Sequence, residues 1–80
     1  MAFIVVFRTL KGEQLMAKTL DKEKEIGAAL KLDIGKVVTL EISRSKRDYR
    51  IVGIGDKLAT PELFGQSEQI MEREFTVEPI

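Results

Sequence analysis

The chain has 80 residues, with 13 Lys or Arg against 13 Asp or Glu and a formal net charge of zero. It contains neither Cys nor His, which excludes disulfides and thiolate or imidazole chemistry and argues strongly against a structural zinc site. Zero net charge also counts against a dedicated duplex-DNA binder, which usually carries a basic excess.

Hydrophobic residues make up 44% of the chain, too many for a disordered tail. Residues 1–80 read as one small domain. A chain this short buries only about 60–65% of its unfolded surface, so its own core is marginal. With no covalent or metal staple, a homodimer becomes an attractive way to complete that core. Met1–Phe7 is apolar but too short for an export signal or a membrane span, and the chain is expected to be cytoplasmic.

In chain order, Ala2–Phe7 is apolar at every position and rich in β-branched and aromatic residues. That is the composition of a strand covered on both faces, so it is placed centrally in a sheet, with a second subunit as the simplest cover for its far side. Thr9-Leu10-Lys11-Gly12 forms the next turn, with Gly12 able to take φ > 0. Glu13–Thr19 alternates Leu15, Ala17 and Thr19 with Gln14, Met16 and Lys18 and reads as a second strand, with a helix as the competing reading. Thr19 or Asp21 can cap a helix that carries Glu23 and Glu25 in its first turns. Ile26, Ala29, Leu30 and Leu32 give it a docking face, and Gly27 weakens it by up to ~1 kcal/mol. Asp33-Ile34-Gly35-Lys36 is the turn that follows.

The most legible stretch is Lys36–Gly55. Two β-rich runs flank Arg44-Ser45-Lys46-Arg47, the pattern of a β-hairpin. Val38, Leu40 and Ile42 share its buried face. Gly53 and Gly55 mark a bulge or bend, and Gly55-Asp56-Lys57 is expected to break the strand. Thr60-Pro61-Glu62 starts a short helical turn near residue 62, with Leu58, Leu63 and Phe64 as plugs for one end of the sheet. Glu68–Val77 reads as the last strand, and its Glu72-Arg73-Glu74 suits an edge. The expected fold is α+β: a small curled antiparallel sheet of about five strands in the order β-β-α-β-β-β, with one packed helix.

Charge is unevenly placed. Residues 33–57 carry six basic and four acidic groups, whereas residues 58–80 carry five Glu and one Arg. The two segments are set either to pair with each other or to face different partners. Arg44, Lys46, Arg47, Tyr49 and Arg50 form the best candidate contact site, a basic hairpin tip with the one tyrosine. Such a ribbon can lie along phosphates and its tyrosine can stack on an unpaired base, or it can meet an acidic protein surface. No serine sits in a nucleophile elbow, and nothing matches a phosphate-cradling loop. Gly53-Ile54-Gly55 lacks the third glycine and the following helix of a nucleotide fingerprint. Glu72 and Glu74 share a face and form the one carboxylate pair worth testing for chemistry or a hard cation. The chain is therefore read as non-enzymatic, with no cofactor, metal or small-molecule substrate inferred. The reading is a protein-binding or regulatory module, homodimeric or part of a larger assembly, with nucleic-acid binding as the alternative.

Ile26-Gly27-Ala28-Ala29-Leu30-Lys31-Leu32-Asp33-Ile34-Gly35-Lys36-Val37, followed by a hairpin, resembles the swapped-hairpin transcription regulators of the AbrB type. The resemblance covers under half the chain and implies a DNA-binding dimer. Gly12-Glu13-Gln14 stands where that family's Gly-Arg and Ile-Pro signature is expected, so its DNA-binding arginines have no positions here to map onto.

Overall fold

The first strand of the chain lies inside the sheet, between the second strand and the last. The computed structural model describes residues 3–59 and 70–80, with side chains described for 3–57 and 72–80. The elements are β1 (Phe3–Arg8), β2 (Gln14–Leu20), α1 (Glu23–Leu30), β3 (Val37–Ile42), β4 (Ser45–Ala59) and β5 (Ile70–Pro79). The strands form one sheet in the order β2-β1-β5-β4-β3. The outcome is a curled five-stranded sheet with one helix, broadly α+β. The short helical turn expected near residue 62, and the plug side chains Leu58, Leu63 and Phe64, lie outside the described residues.

The sheet is mixed, which corrects the expectation of an antiparallel one. β1 and β5 run parallel, with Val5 opposite Arg73 and Phe7 opposite Phe75, while the other neighbouring pairs are antiparallel. β5 is also internal, where an edge was expected. The physical reason is that its charges meet opposite charges on both neighbours. On one face, Glu74 pairs with Arg8 of β1 and lies 3.8 Å from Lys57 of β4, and Glu78 lies 4.0 Å from Arg50. On the other face, Arg73 donates to both carboxylate oxygens of Asp56, at 2.6 and 2.9 Å. Charges satisfied in this way no longer repel a neighbouring strand.

The inner face of the sheet holds the core. Phe3, Val5 and Phe7 of β1 alternate inward with Phe75 and Val77 of β5, and Ile51 and Tyr49 of β4 join them. Phe75, Ile51 and Val77 are almost completely buried, and the Phe7 and Phe75 rings stack with centroids 5.3 Å apart. Val6 points to the opposite face and is only 3% exposed. Both faces of β1 at Val6 are thus covered within one chain, so the need for a second subunit to cover this strand disappears.

Asp56 and Lys57 do not break β4, which continues to Ala59, because Asp56 is held by Arg73 and Lys57 by Glu74. Val52 is the extra residue where the register with β5 shifts between Ile51 and Gly53. A side-chain carbon at Gly53 would sit 3.3 Å from Cβ of Thr76, a tight approach at which Thr76 would have to give way by a few tenths of an ångström. This bulge bends the 15-residue strand and curls the sheet, bringing β3 toward β2 until Leu15 and Leu40 line one cavity.

The helix is less well anchored than its pattern implied. Its N-cap position is Lys22, with no side-chain cap hydrogen bond, in place of the expected Thr19 or Asp21. Ala29 is buried and Ile26 and Leu32 are partly so, but Leu30 is 43% exposed, contrary to its expected docking role. Arg73 reaches the helix end from the sheet, with its Nη1 3.4 Å from the carbonyl oxygen of Leu30. The turn of Asp33–Lys36 forms as read, closed by the Lys36 N–H on the Asp33 carbonyl at 3.1 Å, with Gly35 at φ +94°.

No helix among the described residues is long and apolar enough to cross a membrane.

Candidate functional site

The hairpin of β3 and β4 is tighter than the expected four-residue link. β3 ends at Ile42 and β4 begins at Ser45, leaving a two-residue turn, Ser43-Arg44. Both residues have positive φ, 51° and 68°, the signature of a turn whose twist matches the strands it joins. Lys46 and Arg47 therefore belong to the strand. Alternation then separates the nominated residues, because successive strand residues face opposite sides.

Arg44 is exposed at the tip. Lys46 lies opposite Glu41, and Arg50 opposite Val37 and beside Glu78, all on the outer face. Arg47 lies opposite Leu40 on the inner face, and Tyr49 is only 7% exposed within the core. The four cations do not converge on one surface, and the tyrosine ring is turned inward, away from any base that would stack on it. The Thr39 hydroxyl donates to Asp48 at 2.7 Å on the outer face, which places a further acid among the cations. Arg47 and Tyr49 do come together at the open end of the curled sheet. There they line a cavity of about 260 Å³ with Leu15, Leu40, Ile42 and Ser45.

Two features of this end were not read from the sequence. The first is a group of exposed aliphatic residues around the Asp48–Ile51 stretch of β4. Val37 is opposite Arg50, the Gly35 N–H next to Ile34 donates to the Ile51 carbonyl at 2.8 Å, and the Ile80 N–H lies 3.2 Å from the Asp48 carbonyl. Ile34, Val37 and Ile80 are 62%, 51% and 68% exposed. The second is the free backbone of β3. The Ile51 N–H donates to the Lys36 carbonyl at 2.9 Å. In an antiparallel ladder closed by a two-residue turn, Val38, Leu40 and Ile42 then bond to β4. Val37, Thr39 and Glu41 turn their N–H and C=O groups outward. An exposed aliphatic side chain next to an edge strand was a signal within reach of the sequence. The missing information was which strand forms the edge.

Glu74 is engaged by Arg8 and Lys57, and no group of three acidic side chains able to hold a metal is found among the described residues.

Among the described residues, the Asp56–Arg73 pair is the one ionisable contact that shifts both partners. Hydrogen bonds from Arg73 hold the Asp56 carboxyl below the ordinary aspartate range, against a smaller opposing push from burial. The same hydrogen bonds raise Arg73 further above its already high value. Because Asp56 is more acidic in the folded chain than in the unfolded one, its contribution is complete above the unfolded value and is lost as pH falls through the folded one. Asp56 is half exposed, so solvent screening limits the effect. Asp56→Asn is expected to lower stability by roughly 1 kcal/mol at neutral pH. Urea unfolding should find the variant and the parent converging as pH drops below about 4. A constant gap down to the acid limit would mean that the pair is not formed.

No protein-family model matches the chain, and neither a curated protein nor a solved structure matches it significantly.

Proposed function

We propose that this protein is a small non-enzymatic interaction module that pairs with a second copy of itself along the β3 edge. One observation carries the proposal: among the described residues β3 has a strand on one side only, with exposed aliphatic side chains beside it. Sheet edges are usually guarded by lysine, proline, a bulge or an inward charge. The β2 edge has two of these, the irregularity opposite Phe7 and Arg8 and the cleft-lining Lys18. β3 reads Val-Val-Thr-Leu-Glu-Ile, with an uninterrupted register and no lysine or proline.

Two β3 strands joined antiparallel about a two-fold axis satisfy the outward groups of Val37, Thr39 and Glu41 by main-chain hydrogen bonds. The axis then passes at Thr39, which faces its own copy, and Val37 of each strand faces Glu41 of the other. Nucleic-acid contact by the hairpin is the weaker reading, because Arg44, Lys46 and Arg50 are interleaved with Glu41, Asp48 and Glu78. Such alternation gives little of the continuous positive field that phosphate binding requires.

Light scattering behind a sizing column tests the proposal. The protein is expected at dimer mass at tens of micromolar. Thr39→Lys sets two like charges face to face at the axis without removing a β3–β4 main-chain hydrogen bond, so it should give a monomer with an unchanged far-ultraviolet spectrum. A parent protein at monomer mass throughout that range overturns the proposal, as does a lysine variant that still dimerises.

A further inference from the structure

A second cavity, of about 270 Å³, opens between α1 and the inner face of β1 and β2. It exists because the helix offers small side chains to a floor of large ones. Ala28 and Ala29 form the roof, and Val5, Phe7 and Met16 form the floor. Residues this short cannot reach across the gap. The cleft has room for about nine waters at roughly 30 Å³ each, yet its walls give water almost nothing to bond to.

Lys18 is the one charged residue among those lining the cleft. It is exposed and stands opposite Val5 in the register, where a lysine can lay its stem along the apolar floor and carry its ammonium to the rim. Its side chain makes no ion pair among the described residues. An apolar slot with a single cation at its mouth is complementary to a molecule with an aliphatic tail and an anionic head.

We infer that this cleft binds a short-chain aliphatic carboxylate, tail beneath α1 and carboxylate on Lys18. The tail replaces water against Val5, Phe7 and Met16 and supplies the contacts that the alanines cannot. The carboxylate gains a partner that is otherwise solvated. This site is on the inner face and is separate from the β3 edge proposed for pairing.

Octanoate, octanol and acetate, titrated into protein labelled at its alanine, valine and methionine methyl groups, test the inference. Octanoate is expected to shift the methyl signals of Val5, Met16, Ala28 and Ala29 saturably. Octanol, with the tail and no charge, should need up to about fivefold more, the effect of one exposed ion pair. Acetate should shift none of them. Lys18→Glu should weaken octanoate about tenfold, as repulsion replaces attraction, and leave octanol unchanged. Ala28→Phe, at an exposed position, should fill the cleft and abolish both while the amide spectrum keeps its dispersion. Thr39→Lys should leave octanoate binding intact, so loss of pairing and loss of ligand are distinguishable. Equal affinity for octanoate and octanol overturns the inference, and so does indifference to Lys18→Glu. Shifts that appear with anionic vesicles but not with octanoate also overturn it, since they report a membrane surface instead.

Discussion

Phe75→Ala is expected to remove most of the stability of this protein. The side chain is completely buried, stacks on Phe7 and sits on the strand that joins the two halves of the sheet. Truncating such a residue costs about 3–5 kcal/mol, the lost transfer energy plus the cavity left behind. A chain of 80 residues has a total stability of roughly 4–12 kcal/mol at the usual 0.05–0.15 per residue. With no cysteine to form a disulfide that would support the remainder, the variant should be largely unfolded in mild denaturant. Urea titration followed by circular dichroism measures the loss. A loss under about 1.5 kcal/mol would be typical of a surface site and would place Phe75 outside the core.

Glu74→Pro should be as damaging, for a different reason. Glu74 lies opposite Val6 of β1 on one side and Gly55 of β4 on the other. Its N–H serves one ladder or the other, and proline removes that bond from the interior of a sheet, where proline is not tolerated. Loss of cooperative unfolding is the expected result. Glu74→Gln is the control: it removes the ion pairs to Arg8 and Lys57 but keeps the backbone, and half-exposed pairs of this kind contribute about 1 kcal/mol or less. Had β5 been an edge, proline at a position with an outward N–H would have been mild. A folded proline variant would therefore return β5 to the edge of the sheet.

That contrast identifies what the sequence allowed one to read and what it concealed. The apolar run of β1, the inward set Val38, Leu40 and Ile42, the turn glycines Gly12 and Gly35 and the irregularity near Gly53 each follow from local rules. They depend on neighbours a few residues apart. The position of β5 depends on partners far along the chain. Glu72-Arg73-Glu74 reads as an edge only while its surroundings are unknown. Arg8, Lys57 and Asp56 neutralise Glu74 and Arg73 once the register is fixed. The charge distribution held a hint: an acidic final segment and net basic segments before it favour exactly such neighbours only if the acidic strand lies between them.

The candidate site was partly legible for a related reason. The basic stretch from Arg44 to Arg50 looks continuous in one dimension. Strand alternation divides it, sending Arg47 and Tyr49 inward and Lys46 and Arg50 outward. The hairpin pattern contained that division, since Tyr49 pairs with Val38 of the buried set. Both cavities were beyond reach, because they depend on the curl of β4 and on how far α1 stands from the sheet.

The sheet is one sheet only if β5 lies between β1 and β4, joining the two hairpins and leaving β2 and β3 at the edges. Interstrand proton–proton contacts measured by nuclear magnetic resonance test it directly. The arrangement predicts backbone contacts from β5 to both neighbours, parallel to β1 around Val5 and Arg73 and antiparallel to β4 around Ile54 and Phe75. Contacts from β5 to β4 alone, or an antiparallel set between β1 and β5, would contradict it.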